Sequence, residues 1–335
     1  MGALRTVGER VGQYALVLWA AATLNFVLPH LAPGDPIQYL YGGDALGLAP
    51  EAAEQVRAGY GLDRSLPEQY GAFWTGLLRA DLGRSVEFNR PVVDVLWDYL
   101  PWTVALVGVS TVLAVLVGTA VGAWAAWHRG TRRETVGVAA VLTLDSMPGF
   151  WIGMILIAVF AVALGWFPSY GAAIIDSTGL AWLGEVAVRM VLPSTTLVLA
   201  TLGGFVLLTR AAMITVLDEP FVRLARAKGL SEQRIAVHHA LRNALLPVYT
   251  NLTLVLGTLL SGAVVVETVF AYPGLGQLIF EAVSARDYPL LQGAFLVVTL
   301  GVVAANLVAD LTYPLLDPRV RRQVARRPVD ARAAR

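Results

Sequence analysis

The chain has 335 residues, of which 56% are hydrophobic and 15% charged. Soluble globular domains carry roughly 25% charged residues, so long stretches of this chain must stay out of water, which is a membrane composition. A formal net charge of +1 gives no sign of a nucleic-acid partner, and the absence of cysteine removes disulfides, zinc–thiolate sites and thiol nucleophiles.

Crossing about 30 Å of hydrocarbon takes roughly 20 helical residues. Six apolar runs approach or exceed that length: Val11–Leu31, Pro101–Trp127, Val136–Leu164, Val191–Leu208, Leu245–Val266 and Leu290–Leu316. The first follows Arg5 and Arg10 but continues to Leu31, too far for the apolar region of a signal peptide, and is read as a membrane helix. Basic residues set the orientation. With the N-terminus inside, 18 of the 25 lysines and arginines fall in inner segments and seven in outer ones. Both termini are therefore expected in the cytoplasm. The expected division is a cytoplasmic N-terminus and first helix over 1–31, an external insertion over 32–100, five further membrane helices over 101–316 with a cytoplasmic loop at 209–244, and a cytoplasmic tail over 317–335.

In the external insertion, Pro50, Pro67 and Pro91 each stand where a helix can begin. Its acids outnumber its five arginines, which fits either a solvated surface or a docking face for an external partner. Farther along, Gly118 and Gly122 form a GxxxG pair suited to close helix contact. Asp145, in LTLDSMPGF, and Asp310 are acids inside apolar runs, where a carboxylate must face protein or water rather than lipid. Pro148 and Gly149 break the helical ladder just after Asp145 and free backbone groups to face a cavity. Asp145, Ser146, Pro148 and Phe150 are thus candidate pathway residues, with a structural role for Asp145 equally open. Asp310 and Glu267 are read as structural acids. The aromatics Phe150, Trp151, Trp166 and Tyr170 suit an interfacial belt or a pathway lining.

The stretch Asp218–Pro247 is a polar island between two apolar runs. Asp218, Glu219 and Pro220 start a helix, with Glu219 four residues before Arg223; Arg223, Arg226 and Lys228 fill its later turns, and Gly229 suits a left-handed stop. Ser231 can cap a second helix with an expected apolar face of Val237, Ala240, Leu241, Ala244 and Leu245, opposite Arg234, His238 and Arg242. Pro247 should end or kink it. No phosphate loop occurs, because the one lysine precedes a glycine instead of following one. Neither G-x-S-x-G nor H-E-x-x-H is present. Adjacent His238 and His239 point about 100° apart on a helix and do not suit a shared metal. The inventory therefore assigns no catalytic residues and no metal.

The island resembles the cytoplasmic coupling loop of binding-protein-dependent ABC importer permeases, and ARAKGLSEQR with HHALRNALLP resembles their dipeptide, oligopeptide and nickel branch. LAPGDP (31–36), GLDRSLPEQY (61–70), DLGRS (81–85), ETVFAYPGLGQL (267–278), ARDYPLLQG (285–293) and DLTYPLLDPR (310–319) are similar to the first permease subunit of that branch. The wider family opens its loop with Glu-Ala-Ala, where this chain has Arg223, Leu224 and Ala225, a departure common in the peptide branch.

The resemblance implies an all-α membrane protein of six transmembrane helices, a type I ABC transporter transmembrane domain with an extracytoplasmic helical insertion after the first helix. It implies residence in the inner membrane and a path for peptides, nickel chelates, glutathione or oligosaccharides. The implied partners are a second permease, two cytoplasmic ATPase subunits that bind the ATP and magnesium, and an external solute-binding protein. No cofactor is expected in this chain. Arg223, Arg226, Ala227, Lys228, Gly229, Leu230, Ser231 and Glu232 are the expected ATPase-coupling residues. Two rivals stand beside it: a secondary transporter or channel working alone, which should carry more intramembrane ionisable groups, and an amphipathic helix pair lying on anionic lipid.

Overall fold

The computed structural model describes residues 2–31, 63–171 and 179–316, and these are helical nearly throughout. Their order is α1 (Gly2–Leu31), α2 (Leu66–Leu78), α3 (Val92–Trp127), α4 (Arg132–Asp145), α5 (Gly149–Leu156), α6 (Leu180–Leu217), α7 (Pro220–Ala227), α8 (Glu232–Arg234), α9 (Arg242–Val269), α10 (Leu275–Ser284) and α11 (Tyr288–Leu316). A π-helical stretch at Ile157–Ala163 extends α5, and another at Ile235–Leu241 joins α8 to α9. Among the described residues no strand occurs beyond an isolated antiparallel bridge between Arg84 and Pro91.

Among the described residues α3, α6 and the Tyr288–Val308 part of α11 are long and apolar enough to cross a membrane. The pair formed by α4 and Gly149–Ala163 passes the same test together, bent by 101° at its break. α1 holds a shorter apolar stretch, Val11–Val27, and the run at Leu245–Val266 lies within α9.

Proline marks fewer boundaries than expected. Pro101, Pro193 and Pro247 all sit inside helices, in α3, α6 and α9. Each removes one donor from the ladder, but ending the helix in an apolar setting would leave several backbone groups unpaired, so continuation costs less. The helix expected at Pro91 and the membrane run expected from Pro101 therefore fuse into α3, at whose start the Val92 N–H donates to the Gly83 carbonyl and the Asp94 and Val95 N–H groups to the Pro91 carbonyl. α6 likewise begins well before Val191 and ends beyond Leu208. The start at Pro67 occurs as expected. The Glu68 carboxylate accepts hydrogen bonds from the Ser65 N–H at 3.0 Å and the Ser65 hydroxyl at 2.7 Å, closing the first turn of α2. The helix expected at Pro50 lies outside the described residues.

The chain divides into two units. One comprises 11–103 and 273–301. In it Phe26 of α1 packs edge-on against Tyr70 of α2, with centroids 5.2 Å apart, and Asn25 Nδ2 donates to the Gln292 carbonyl at 2.7 Å. Asp287, fully buried, accepts from the Ser85 hydroxyl at 2.5 Å, the Glu87 N–H at 3.0 Å and the Leu290 N–H at 3.1 Å. That carboxylate joins the DLGRS and ARDYPLLQG segments and gives each a structural reason for its composition.

The other unit comprises 1–10, 104–272 and 302–335. α6 lies against α4, α5 and α9 and supplies thirteen buried residues, which makes it the core of this unit. The GxxxG pair of α3 meets it closely. A β-carbon at Gly118 would fall 2.5 Å from Phe205 Cβ, and one at Gly122 would fall 2.5 Å from the Val206 carbonyl oxygen, so only glycine permits this approach.

Candidate coupling site

The eight expected coupling residues run from within α7 (Arg223, Arg226, Ala227) through the turn Lys228–Ser231 to the first residue of α8, Glu232. Glu219, with φ −68° and ψ 147°, occupies the extended conformation that precedes a helix, and Pro220 fills the first helical position. At the other end the Leu230 N–H donates to the Ala225 carbonyl at 3.2 Å, and the Gly229 N–H donates to the Arg226 carbonyl at 2.9 Å. Those two bonds, with Gly229 at φ +77°, form a complete Schellman stop. Leu230 supplies the usual apolar contact, packing against the cluster that contains Ala225.

That cluster fixes the turn to the long helices. Val222 and Ala225 of α7, Ile235 of the π stretch, and Ala240 and Ala244 are buried against Ala126 of α3 and Met213 and Leu217 of α6. One side of α7 is thus committed to its own chain. The other side shows Phe221 at 42% exposure and Leu224 at 57%, flanked by exposed Arg223, Ala227 and Lys228. A short helix with apolar side chains on both sides suits a second protein surface.

Ion pairs brace the same end of the unit. Arg129, between α3 and α4, makes a bidentate contact with Asp218 at 2.9 and 3.0 Å, which lowers the carboxyl pKa of Asp218. Arg210 of α6 binds Glu134 of α4 through Nε at 2.7 Å and through Nη2, and Glu134 also accepts from the Gly130 N–H at 2.6 Å. The Arg210 contact first, and the Gly130 contact second, hold Glu134 below the usual carboxylate range. The Thr131 hydroxyl accepts from the Glu134 N–H at 3.3 Å and completes the cap of α4. The T-x-x-E spacing of Thr131 and Glu134 is a legible capping signal. Its ion pair with Arg210, 76 residues away, is not legible from local spacing.

Four local expectations need correction. Arg223 does not pair with Glu219; its Nη2 donates to the Asp218 carbonyl at 3.1 Å, because the carbonyl at the end of α6 lies within reach and fixes the guanidinium. Ser231 has the extended backbone of a cap, but its side chain makes no capping bond; the turn is closed by an Arg226–Glu232 ion pair at 3.0 Å. The buried face of the second helix is Ile235, Ala240, Ala244 and Val248, while Val237 and Leu245 are exposed. The step of five from Ile235 to Ala240 is the π turn, whose surplus residue shifts the face that a 3.6-residue period predicts. Pro247 neither ends nor interrupts α9.

The candidate pathway residues gather at the bend between α4 and α5. Asp145 ends α4, the Ser146 hydroxyl donates to the Leu142 carbonyl at 2.7 Å, and the Pro148 carbonyl accepts from the Trp151 and Ile152 N–H groups to start α5. Asp145, Ser146, Pro148 and Phe150 are all exposed. Trp151, Trp166 and Tyr170 are exposed as well. Glu267 is fully buried near the end of α9, and its carbonyl accepts from the Tyr272 N–H at 2.8 Å. Asp310 lies on α11, with its side chain outside the described residues.

Long apolar helices interrupted by a helix–turn–helix make up the type I ABC transporter permease fold, which a solved structure shares. A chain of the inward-facing methionine ABC transporter MetNI superposes with a TM-score of 0.56 at 17% identity, covering 67% of this chain and 97% of its own. The chain belongs to the family of binding-protein-dependent transport system inner membrane components, which matches residues 118–322. The glutathione transport system permease protein GsiC of Pectobacterium atrosepticum is 39% identical over 301 residues, 89% of this chain and 92% of the relative. The dipeptide transport system permease protein DppB of Escherichia coli K12 is 36% identical over 337 aligned positions, 95% of this chain and 99% of the relative.

Proposed function

We propose that this chain forms one half of the membrane path of an ATP-driven importer of short peptides. The path subunit has six membrane helices, an external helical insertion and both termini in the cytoplasm of the inner membrane. A second permease completes the path, two ATPase subunits bind ATP and magnesium, and an external binding protein delivers the peptide. The peptide assignment follows the naming of its relatives, which include dipeptide and glutathione permeases.

The observation that carries the coupling role is the docked turn. α7 is buried on one side against α3 and α6, stopped by a Schellman turn at Gly229, and exposed at Phe221, Leu224 and Ala227. An ATPase groove that receives the exposed side moves the turn as a body when the ATPase pair closes on ATP. Because the turn is packed onto α6 and leads without a break into α9, that motion reaches the membrane helices and alternates the path between two states. Arg226, Ala227, Lys228, Gly229 and Leu230 are the contact residues.

The chain has no cysteine, so a single Ala227→Cys substitution paired with one cysteine in the ATPase groove tests the contact directly. A crosslink whose yield changes with ATP is expected. Failure to crosslink at Ala227 and at every neighbour along the turn overturns the docking.

A further inference from the structure

Asp145 is the charged group that the coupling geometry leaves unused. It ends α4 at a 101° bend within an apolar helix pair, and its side chain is exposed. No hydrogen bond or ion pair from a described residue reaches its carboxylate. An unpaired carboxylate on an apolar span is costly against lipid, so its exposed side faces the path's water, a polar guest or the second permease. The C-terminal end of α4 adds negative potential, which raises the demand for a cation there.

The carboxylate is also held in place. A β-carbon at Gly203 would fall 2.3 Å from Asp145 Oδ1, so the carboxyl group sits in a notch of α6 that only glycine leaves open. Ser146 adjoins Asp145 in sequence, and its hydroxyl hydrogen is committed to the Leu142 carbonyl, so its oxygen is left as an acceptor. A carboxylate and a hydroxyl that can only accept suit a ligand that only donates. Among the described residues no group of three His, Asp or Glu side chains could hold a metal ion, which favours an organic cation.

We propose that Asp145, seated in the Gly203 notch, binds the α-ammonium group of the peptide as it passes through the membrane. This rests on the peptide-importer reading. A carboxylate at the helix break gives the path one fixed point for the terminal ammonium, a feature shared by peptides with a free N-terminus whatever their sequence.

The test is uptake of L-alanyl-L-alanine by the full complex of both permeases, both ATPases and the binding protein in proteoliposomes. Asp145→Asn keeps the shape and removes the charge. It should lower uptake roughly tenfold, the loss of one charge-assisted contact, while assembly and the ATP hydrolysis evoked by loaded binding protein stay unchanged. Asp145→Glu, which restores the charge, should recover part of the uptake, and Gly203→Ala, which closes the notch but leaves the charge, should lose it. Full uptake by Asp145→Asn overturns the site and leaves the importer reading intact. A variant complex that fails to assemble assigns the carboxylate to the fold and overturns the site as well. Failure of the wild-type complex to import any dipeptide overturns the importer reading itself.

Discussion

Gly229 is the position where a single backbone angle carries the coupling turn, and its substitution has a calculable cost. A β-carbon built there meets nothing within 4 Å, so any loss on substitution comes from the backbone and not from crowding. With φ at +77°, an alanine pays the left-handed penalty of about 1–2 kcal/mol. That lowers the ratio of closed to opened turns by a factor of about 5–30. Asparagine tolerates this region and should lose less, whereas valine, branched at Cβ, should lose more. The expected order of coupled ATP hydrolysis is therefore Gly, then Gly229→Asn, Gly229→Ala and Gly229→Val, with assembly of the complex retained. Maleimide labelling of Ala227→Cys in each background should report the opened fraction in the same order. If Gly229→Val and Gly229→Asn behave alike in both assays, backbone strain at this turn does not govern coupling and the reasoning is refuted.

Two further outcomes follow from the same end of the molecule. Ile235→Ala hollows the cluster beneath the turn and should cost about 2–5 kcal/mol, read as a lowered thermal midpoint of the purified complex; an unchanged midpoint would show that the cluster collapses around the cavity. Glu134 is held below the usual carboxylate range, so its contribution is fully present above the ordinary value near pH ~4.3 and is lost as pH falls through its lowered folded-state value. Arg210→Gln should therefore flatten the fall in thermal midpoint as pH drops below the ordinary carboxylate value, relative to the unsubstituted protein, and parallel profiles would dismiss the pairing.

What could be read in advance depended on how local the cause was. The start of α7 at Glu219 and Pro220 and its stop at Gly229 were legible because capping is decided within a few residues. The cap of α2 at Ser65 and Glu68 belongs to the same class. The long reach of α3 was not legible, because Pro101 is a local breaker whose effect is overridden by the cost of opening a helix in an apolar setting. The face of the second coupling helix was misjudged for a geometrical reason, since any periodic reading assumes one residue spacing throughout. Contacts such as Arg210 with Glu134 and Asp145 with Gly203 join separate helices, and neither leaves a trace in local spacing.

The surplus residue between Ile235 and Leu241 also bears on how chain length can vary. Deleting one residue there converts the π turn to an ordinary α turn and leaves the helix phase on both sides unchanged, with the buried positions falling at even steps of four. Deleting one residue within Arg242–Val269 instead turns everything beyond it by about 100° and shortens the rod by about 1.5 Å, so that the two ends no longer face the partners they were folded to meet. The seven residues of the π stretch can therefore absorb a single-residue deletion, and the twenty-eight that follow cannot.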